Sequence, residues 1–303
     1  MRYIKGTLNF QEEQNCVVTL GKFDGIHRGH RALIDRVLAY EEKPATRTVF
    51  TFDIAPVMLL SKKERRKMLK ELGIELIIEC PFVAEIITME PEEFVKKILV
   101  EQLKVVHIVV GTDYRFGYHR AGNAQLLQEL GKTYGFTVEI VDKVMDGERE
   151  ISSTYIREEL SKGNIEKVNE LLGYDYFITG EIVHGRQVGR AIGIPTTNLI
   201  PPKGKLLPPN GVYVTRTTAG DRTYNGMTNI GCKPTVEGSF IGVETYLFNC
   251  EDDLYGKKEV VRLQHFIRPE KKFDSLETLK EQIEQDEYKI REYCNTCSIS
   301  SEK

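Results

Sequence analysis

Residues 16–30 read CVVTLGKFDGIHRGH, a short apolar run that breaks into three glycines, one aspartate and two histidines. A brief apolar run bounded by glycine describes a strand buried on both faces, the kind that parallel sheets use. Beyond the turn, Leu33, Ile34, Val37 and Leu38 recur at helical spacing and predict a helix over 31–42. A strand that passes through a glycine-bearing turn into a helix is the opening unit of an α/β layer. Such a turn offers backbone N–H groups and the positive end of the helix dipole to an anion. Glycine there lets the main chain approach a ligand closely. His27 and His30 fall on one side of the opening turn and can donate ring N–H bonds to phosphate oxygens. Two other readings stay open: a histidine that only caps the turn, or a two-histidine metal site, for which no Cys or carboxylate at ligand spacing supplies a third ligand.

Outward from this stretch, the sequence predicts strands over 46–52, 75–80, 105–110 and 137–142, separated by helices over 63–72, 92–103 and 125–134. This alternation implies a doubly wound, mainly parallel sheet. Ligands of such sheets bind beyond the carboxyl ends of the strands, where both Gly21 and Gly111 fall. From Tyr176 the pattern changes to short two-periodic runs, YFITGEIV, GVYVTRTT, RTYNGMTNI, FIGVETYLF and EVVRLQHFI, divided by Gly, Pro, Asn and Asp turns. These predict an antiparallel β-barrel. A last amphipathic helix carries Leu276, Leu279 and Ile283 on one face, with Asp274 and Glu277 placed as a capping box. The expected chain is α/β over 1–173 and all-β over 174–303, an N-terminal parallel-sheet domain and a C-terminal barrel with a terminal helix.

Composition narrows the class. The 303 residues are 41% apolar and 29% charged with a net charge of −3, so no global positive field recruits nucleic acid. No apolar run approaches the roughly 20 residues of a membrane span. The six cysteines form no disulfide framework and the amino terminus has no signal-like apolar core, which points to the cytoplasm. Cys294 and Cys297 form a lone C-x-x-C in a polar tail that reads as disordered. Neither nucleic acid nor membrane is an expected partner, and self-association is expected to be weak at most.

GKFDGIHRGH resembles the signature of the FAD synthetase family, whose adenylyltransferase module carries a G-x-F-D-G-x-H-x-G-H turn. Gly111-Thr112-Asp113-Tyr114-Arg115-Phe116-Gly117 with Ala121-Gly122-Asn123 looks like that family's second signature, and Ile151-Ser152-Ser153-Thr154-Tyr155-Ile156-Arg157 like its third. Each segment also has a plain reading: helix-capping hydroxyls at 152–154, an ion pair of Asp113 with Arg115, a turn residue in Asn123. The resemblance implies a nucleotidyltransferase (Rossmann-like) domain in which Gly21, Phe23, Asp24, Gly25, Gly111, Asp113, Ser153 and Thr154 hold ATP. It further implies that His27, His30 and Arg157 face the transferring phosphate and that Asn123 touches the flavin substrate. Donors aimed at an attacked α-phosphorus contribute about 10²-fold in rate.

The barrel half carries GRAIGIPTTN at 189–198, and no Walker-type loop occurs anywhere in the chain. In extended chain Thr196 and Asn198 face one way, and a hydroxyl and a carboxamide oxygen suit Mg²⁺, although a Thr/Asn turn after proline reads equally from the residues. The half-chain resembles riboflavin kinase: residues 189–198 match G-R-x-x-G-x-P-T-x-N. Gly211-Val212-Tyr213, Asn229-Ile230-Gly231, Pro234-Thr235, Tyr255-Gly256 and the Arg268 to Phe273 segment match its later elements. The resemblance implies Gly189, Arg190, Gly193 and Pro195 on the nucleotide, Thr196 and Asn198 on Mg²⁺, and Arg268 and Phe273 on riboflavin. Glu244, a solvated strand carboxylate on its own reading, becomes the implied general base, a role worth about 10²- to 10⁴-fold. Together the halves imply ATP-dependent conversion of riboflavin to FMN with release of ADP, then of FMN to FAD with release of pyrophosphate. Departures from the family pattern fall at Ile54-Ala55, Tyr246 and Asn249-Cys250. The rival readings are an adenylyltransferase for another phosphorylated substrate and a non-catalytic flavin- or RNA-binding regulator.

Overall fold

Strand β2, Cys16–Leu20, is buried along its whole length. The computed structural model describes residues 1–53, 56–185, 193–235 and 238–300, so Gly189 and Arg190 lie outside the described residues. Two compact units divide at Tyr155/Ile156.

In the first unit, β1 Arg2–Lys5, β2, β3 Thr46–Asp53, β4 Leu76–Pro81, β5 Val105–Gly111 and β6 Thr137–Val141 form one sheet in the order β1-β4-β3-β2-β5-β6. Every pairing is parallel. The order reverses between β2 and β5, so their carboxyl ends flank the crevice where doubly wound sheets bind ligands. Cys16, Val18 and Leu20 face a core built with Phe94, Val95, Ile98 and Leu99, and with Leu127 and Leu130. Those residues come from α3, which opens at Pro91–Glu93 and runs on as a π-helical Phe94–Gln102, and from α4, Ala124–Tyr134. Val17 and Thr19 point the other way and are equally buried, toward the layer where α1, Arg28–Leu38, meets β2, β3 and β5. Helix α2 is Lys62–Glu71. Strand β1 goes beyond the five strands expected from sequence: four residues, RYIK, at the sheet edge with no fully buried side chain carry little apolar signal.

Helix α5, Ser153–Lys162, spans the division, and α6, Ile165–Leu172, has no counterpart among the sequence expectations. Helix α6 packs on the barrel: Asn169 Nδ2 donates to the Leu263 carbonyl at 2.9 Å, and Glu166 pairs with His265. The barrel closes through β7 Phe177–Val183, β8 Thr197–Leu199, β11 Gly238–Leu247, β10 Arg222–Thr235, β9 Gly211–Ala219 and β12 Lys258–Pro269, with β12 pairing back onto β7. All its pairings are antiparallel. Its interior is partly polar: Thr215, Thr228 and Thr245 join hydroxyl to hydroxyl at 2.9 Å.

The last helix, α7, is Leu276–Ser300. Two expectations about it are corrected. Ser275, not Asp274, caps it: Ser275 Oγ accepts from the Thr278 N–H at 3.2 Å. The tail around Cys294 is helical, because Ile290 and Cys294 pack with Val212, Val214 and Met227 of the barrel.

Candidate functional site

The turn after β2 departs from ordinary backbone at three positions. Phe23, Gly25 and Ile26 all have positive φ, at 49°, 88° and 40°, and only glycine takes such values without strain. Two side chains beneath the turn hold it there. The buried Arg65 donates from Nη1 to the Lys22 carbonyl at 2.9 Å, and its Nη2 pairs with the buried Glu79 at 3.1 Å. Asp24 Oδ1 accepts from the Leu59 N–H at 2.7 Å.

These constraints deliver His27 to the N-cap of α1 and His30 to its first turn, so the helix begins three residues earlier than its apolar spacing predicts. His27 Nδ1 accepts from the His30 N–H at 3.3 Å. The rings stack with centroids 3.7 Å apart. Because Nδ1 is an acceptor, the His27 proton sits on Nε2, which is the donor available to a ligand. Burial pulls His27 down from 6.5 to about 4 and holds His30 well below the ordinary histidine value, with the charges of His27 and Arg65 adding to the effect on His30. Both imidazoles are neutral donors at neutral pH. His30 Nδ1 is buried with no hydrogen-bond partner among the described residues, a polar atom that a bound oxygen would satisfy.

Above the pair opens a cleft of about 850 Å³, lined by Gly21, Phe23, His27, His30, Gly111, Asp113, Ser153 and Thr154. Six of the eight residues read as ATP-binding therefore share it with both histidines. Asp24 and Gly25 do not line it; Asp24 is turned toward the 59 loop, and its own carbonyl accepts from Ser153 Oγ at 2.8 Å. The cap of α5 is Ser152, whose Oγ accepts from the Tyr155 N–H at 3.3 Å. Arg157 follows Ser153 by one helical turn. Asn123 caps α4, with Oδ1 accepting from the Leu126 N–H at 2.8 Å. Asp113 pairs with Lys143 at 3.3 Å, a partner other than the Arg115 of the loop's plain reading, and Lys143 also meets Glu150. The far wall is apolar: Phe52, Phe82, Phe94 and Phe116 form a chain of ring contacts with centroids 5.9–6.5 Å apart.

In the barrel, register assembles the second cluster. Asn198 on β8 lies opposite Glu244 on β11, Glu244 opposite Asn229 on β10, Asn229 opposite Val212 on β9, and Val212 opposite Arg268 on β12. Opposed residues share a face, so segments up to 70 positions apart in the chain converge on one transverse row. Thr196 and Asn198, with Gly193 and Pro195, line a cavity of about 520 Å³ whose other wall is Cys250 to Tyr255. Gly185 lies so close to the Asn198 carboxamide that a Cβ there would collide with it. Arg268 is turned to α7: it grips the buried Asp286 through Nε at 2.9 Å and Nη2 at 2.7 Å, and its guanidinium lies 5.9 Å from the Phe273 ring. Its implied contact with riboflavin is thus joined by a structural one.

The FAD synthetase family matches residues 9–155 and the riboflavin kinase family residues 172–294. A bifunctional riboflavin kinase/FMN adenylyltransferase of Escherichia coli K12 is 36% identical over 97% of this chain and 98% of its own. The chain belongs to this bifunctional family. The Pseudomonas fluorescens relative of that name is 34% identical over 94% of this chain and 96% of its own. A crystal structure solved under the name macrolide-efflux protein, from Streptococcus pneumoniae, superposes with a TM-score of 0.84 at 31% identity, covering 96% of this chain and 98% of that one. Among the described residues of this family member no helix is long and apolar enough to cross a membrane.

Sequence reading missed Arg65 and Glu79, because KKERRK reads as a solvated charge run although Arg65 is only 2% exposed. It also missed Lys143, which bridges two cleft carboxylates, and Glu259, a buried acid on β12. For Glu259 a signal existed: it alternates in phase with Val261 and Leu263, the inward positions of its strand.

Proposed function

We propose that the chain phosphorylates riboflavin to FMN in its barrel, residues 174–303, and adenylylates FMN to FAD in the α/β part, residues 1–173, using ATP in both steps. The observation that carries this reading is the pairing of two neutral, stacked histidines, His27 buried and His30 half-buried, with an open donor at the switch point of a parallel sheet, in a chain whose other half matches a kinase.

In adenylyl transfer an FMN phosphate oxygen attacks the α-phosphorus of ATP, the bond to the bridging oxygen breaks, and pyrophosphate leaves. Negative charge grows on the non-bridging oxygens, where His27 Nε2–H and a His30 ring N–H act as fixed donors that need no proton from solvent. Ser153, Thr154 and Arg157 attend the phosphates, and the Phe52 to Phe116 wall offers an aromatic surface for the isoalloxazine ring. In the kinase step Glu244 takes the proton of the ribityl hydroxyl as that oxygen attacks the γ-phosphorus and ADP departs. Thr196 and Asn198 fit Mg²⁺: both are hard oxygen donors on one cavity wall, and the absent Cβ at Gly185 leaves room for the carboxamide. Bound there, the cation would offset the negative charge of the phosphate groups. Gly189 and Arg190 complete the nucleotide segment in this reading. The setting is cytoplasmic, without nucleic acid or membrane, and with weak self-association at most.

Purified chain given riboflavin, ATP and Mg²⁺ should yield FMN and then FAD on chromatography. Glu244→Gln should stop FMN formation while FMN still becomes FAD; His27→Ala with His30→Ala should do the reverse. Loss of both activities in either folded variant refutes this division of labour.

A further inference from the structure

Inside the barrel a carboxyl group occupies a position that strand alternation assigns to an aliphatic side chain. Glu259, Val261 and Leu263 point inward from β12, and Glu259 is 1% exposed. Opposite it stand Gly180 on β7 and Ala219 on β9. The neighbouring inward positions are Ile178 and Ile182 on β7, Thr217 on β9, Leu199 on β8, and Val243 and Thr245 on β11, all buried and none charged. Its hydrogen bond comes from Thr197: Thr197 Oγ1 lies 2.7 Å from Glu259 Oε1 and 3.3 Å from the Thr245 carbonyl. Burial pushes the acid up to about 7, and the Thr197 bond opposes that only in part. A buried acid without a charged partner costs fold stability, and an apolar residue of the same size generally packs there at no loss. Stability therefore does not explain the residue.

Its partner does. Thr197 stands between Thr196 and Asn198, the two donors assigned to the nucleotide and its cation. Successive residues of extended chain face opposite ways, so anchoring Thr197 toward Glu259 turns both neighbours to the other face, with all three residues bordering the cavity. Strand β8 is three residues long, paired with β11 at all three positions and with β7 at only two, so the Glu259 bond adds a side-chain anchor on the β7 side, where the ladder is shorter.

We propose that Glu259 is a positioning residue of the kinase site, which fixes the rotation of the 196–198 segment by holding Thr197. This rests on the reading of that segment as the Mg-ATP site. Glu259→Leu fills the same interior space without the bond, and Glu259→Gln keeps an acceptor for Thr197. In steady-state phosphorylation by the full chain, Glu259→Leu should raise KM for Mg-ATP about tenfold, the scale of one lost hydrogen bond, with kcat changed far less. Glu259→Gln should restore KM to near wild type. Thr197→Val should raise KM equally, and the double variant should be no worse than either single one. The melting temperature of Glu259→Leu should stay level or rise, and FMN adenylylation should be unaffected. An unchanged KM in an active Glu259→Leu, additive effects in the double variant, or a fall in melting temperature that tracks the kinetic loss overturns the positioning role alone. Failure of the wild-type chain to phosphorylate riboflavin overturns the site assignment and the inference with it.

Discussion

Neutral histidines at the cleft floor make the first unit acid-labile by a calculable amount. His27 is 6% exposed and its pKa falls from 6.5 to about 4 on burial. A group whose folded pKa is depressed contributes stability that is present above its unfolded value and lost as pH falls toward the folded one. At about 1.4 kcal/mol for each tenfold in proton affinity, the full loss is about 3 kcal/mol, and some 2 kcal/mol of it should appear between pH 7 and pH 5. The depression of His30 acts in the same direction. His27→Asn isolates the effect, since asparagine is a strong N-cap and can still accept from the His30 N–H without titrating. Hydrogen exchange of the β2 amides, which open only with the whole sheet, reads the stability of this unit apart from the barrel. The wild-type opening free energy should fall by about 2 kcal/mol more than that of His27→Asn over this interval. Parallel slopes for the two proteins would refute the account of His27 as a neutral buried donor.

Other consequences are equally direct. Arg65→Met should destabilise the first unit by about 1–3 kcal/mol in chemical denaturation, because Glu79 loses its buried partner while keeping Lys62 at 3.1 Å and the Tyr3 hydroxyl at 2.7 Å. Asn123→Ala should cost about 1 kcal/mol through the lost cap of α4, and Asn123→Asp should recover it, both read as shifts in denaturation midpoint. Stability of the barrel should run opposite to that of the first unit: the raised pKa of Glu259 makes its contribution fullest below the ordinary 4.5 and progressively lost toward about 7, a slope absent from Glu259→Leu in denaturation from pH 5 to 7.

The parallel sheet was legible because CVVTL and its counterparts are apolar on both faces, and the barrel because YFITGEIV and EVVRLQHFI alternate. What escaped was weakly apolar or decided at long range. Strand β1 is a polar edge, and the histidine cap sits ahead of the apolar residues that announce α1. Motif residues could be named one by one, yet nothing local says that Asp113 meets Lys143, or that Arg268 grips Asp286. Those partners are chosen by tertiary proximity, to which composition and period are blind.

The transverse row from Asn198 through Glu244 and Asn229 to Arg268 behaves as a vernier. Sliding any one strand by a single residue carries its member to the opposite surface, whereas lengthening a connecting loop leaves the alignment intact. Descendants of this chain are therefore free to lengthen or shorten the 220–221 connection, which carries no site residue, but an odd insertion within β10 or β11 extinguishes phosphorylation in one step and leaves adenylylation running. The kinase half is open to evolutionary tinkering in the turn remote from its cavity and closed to it along its strands.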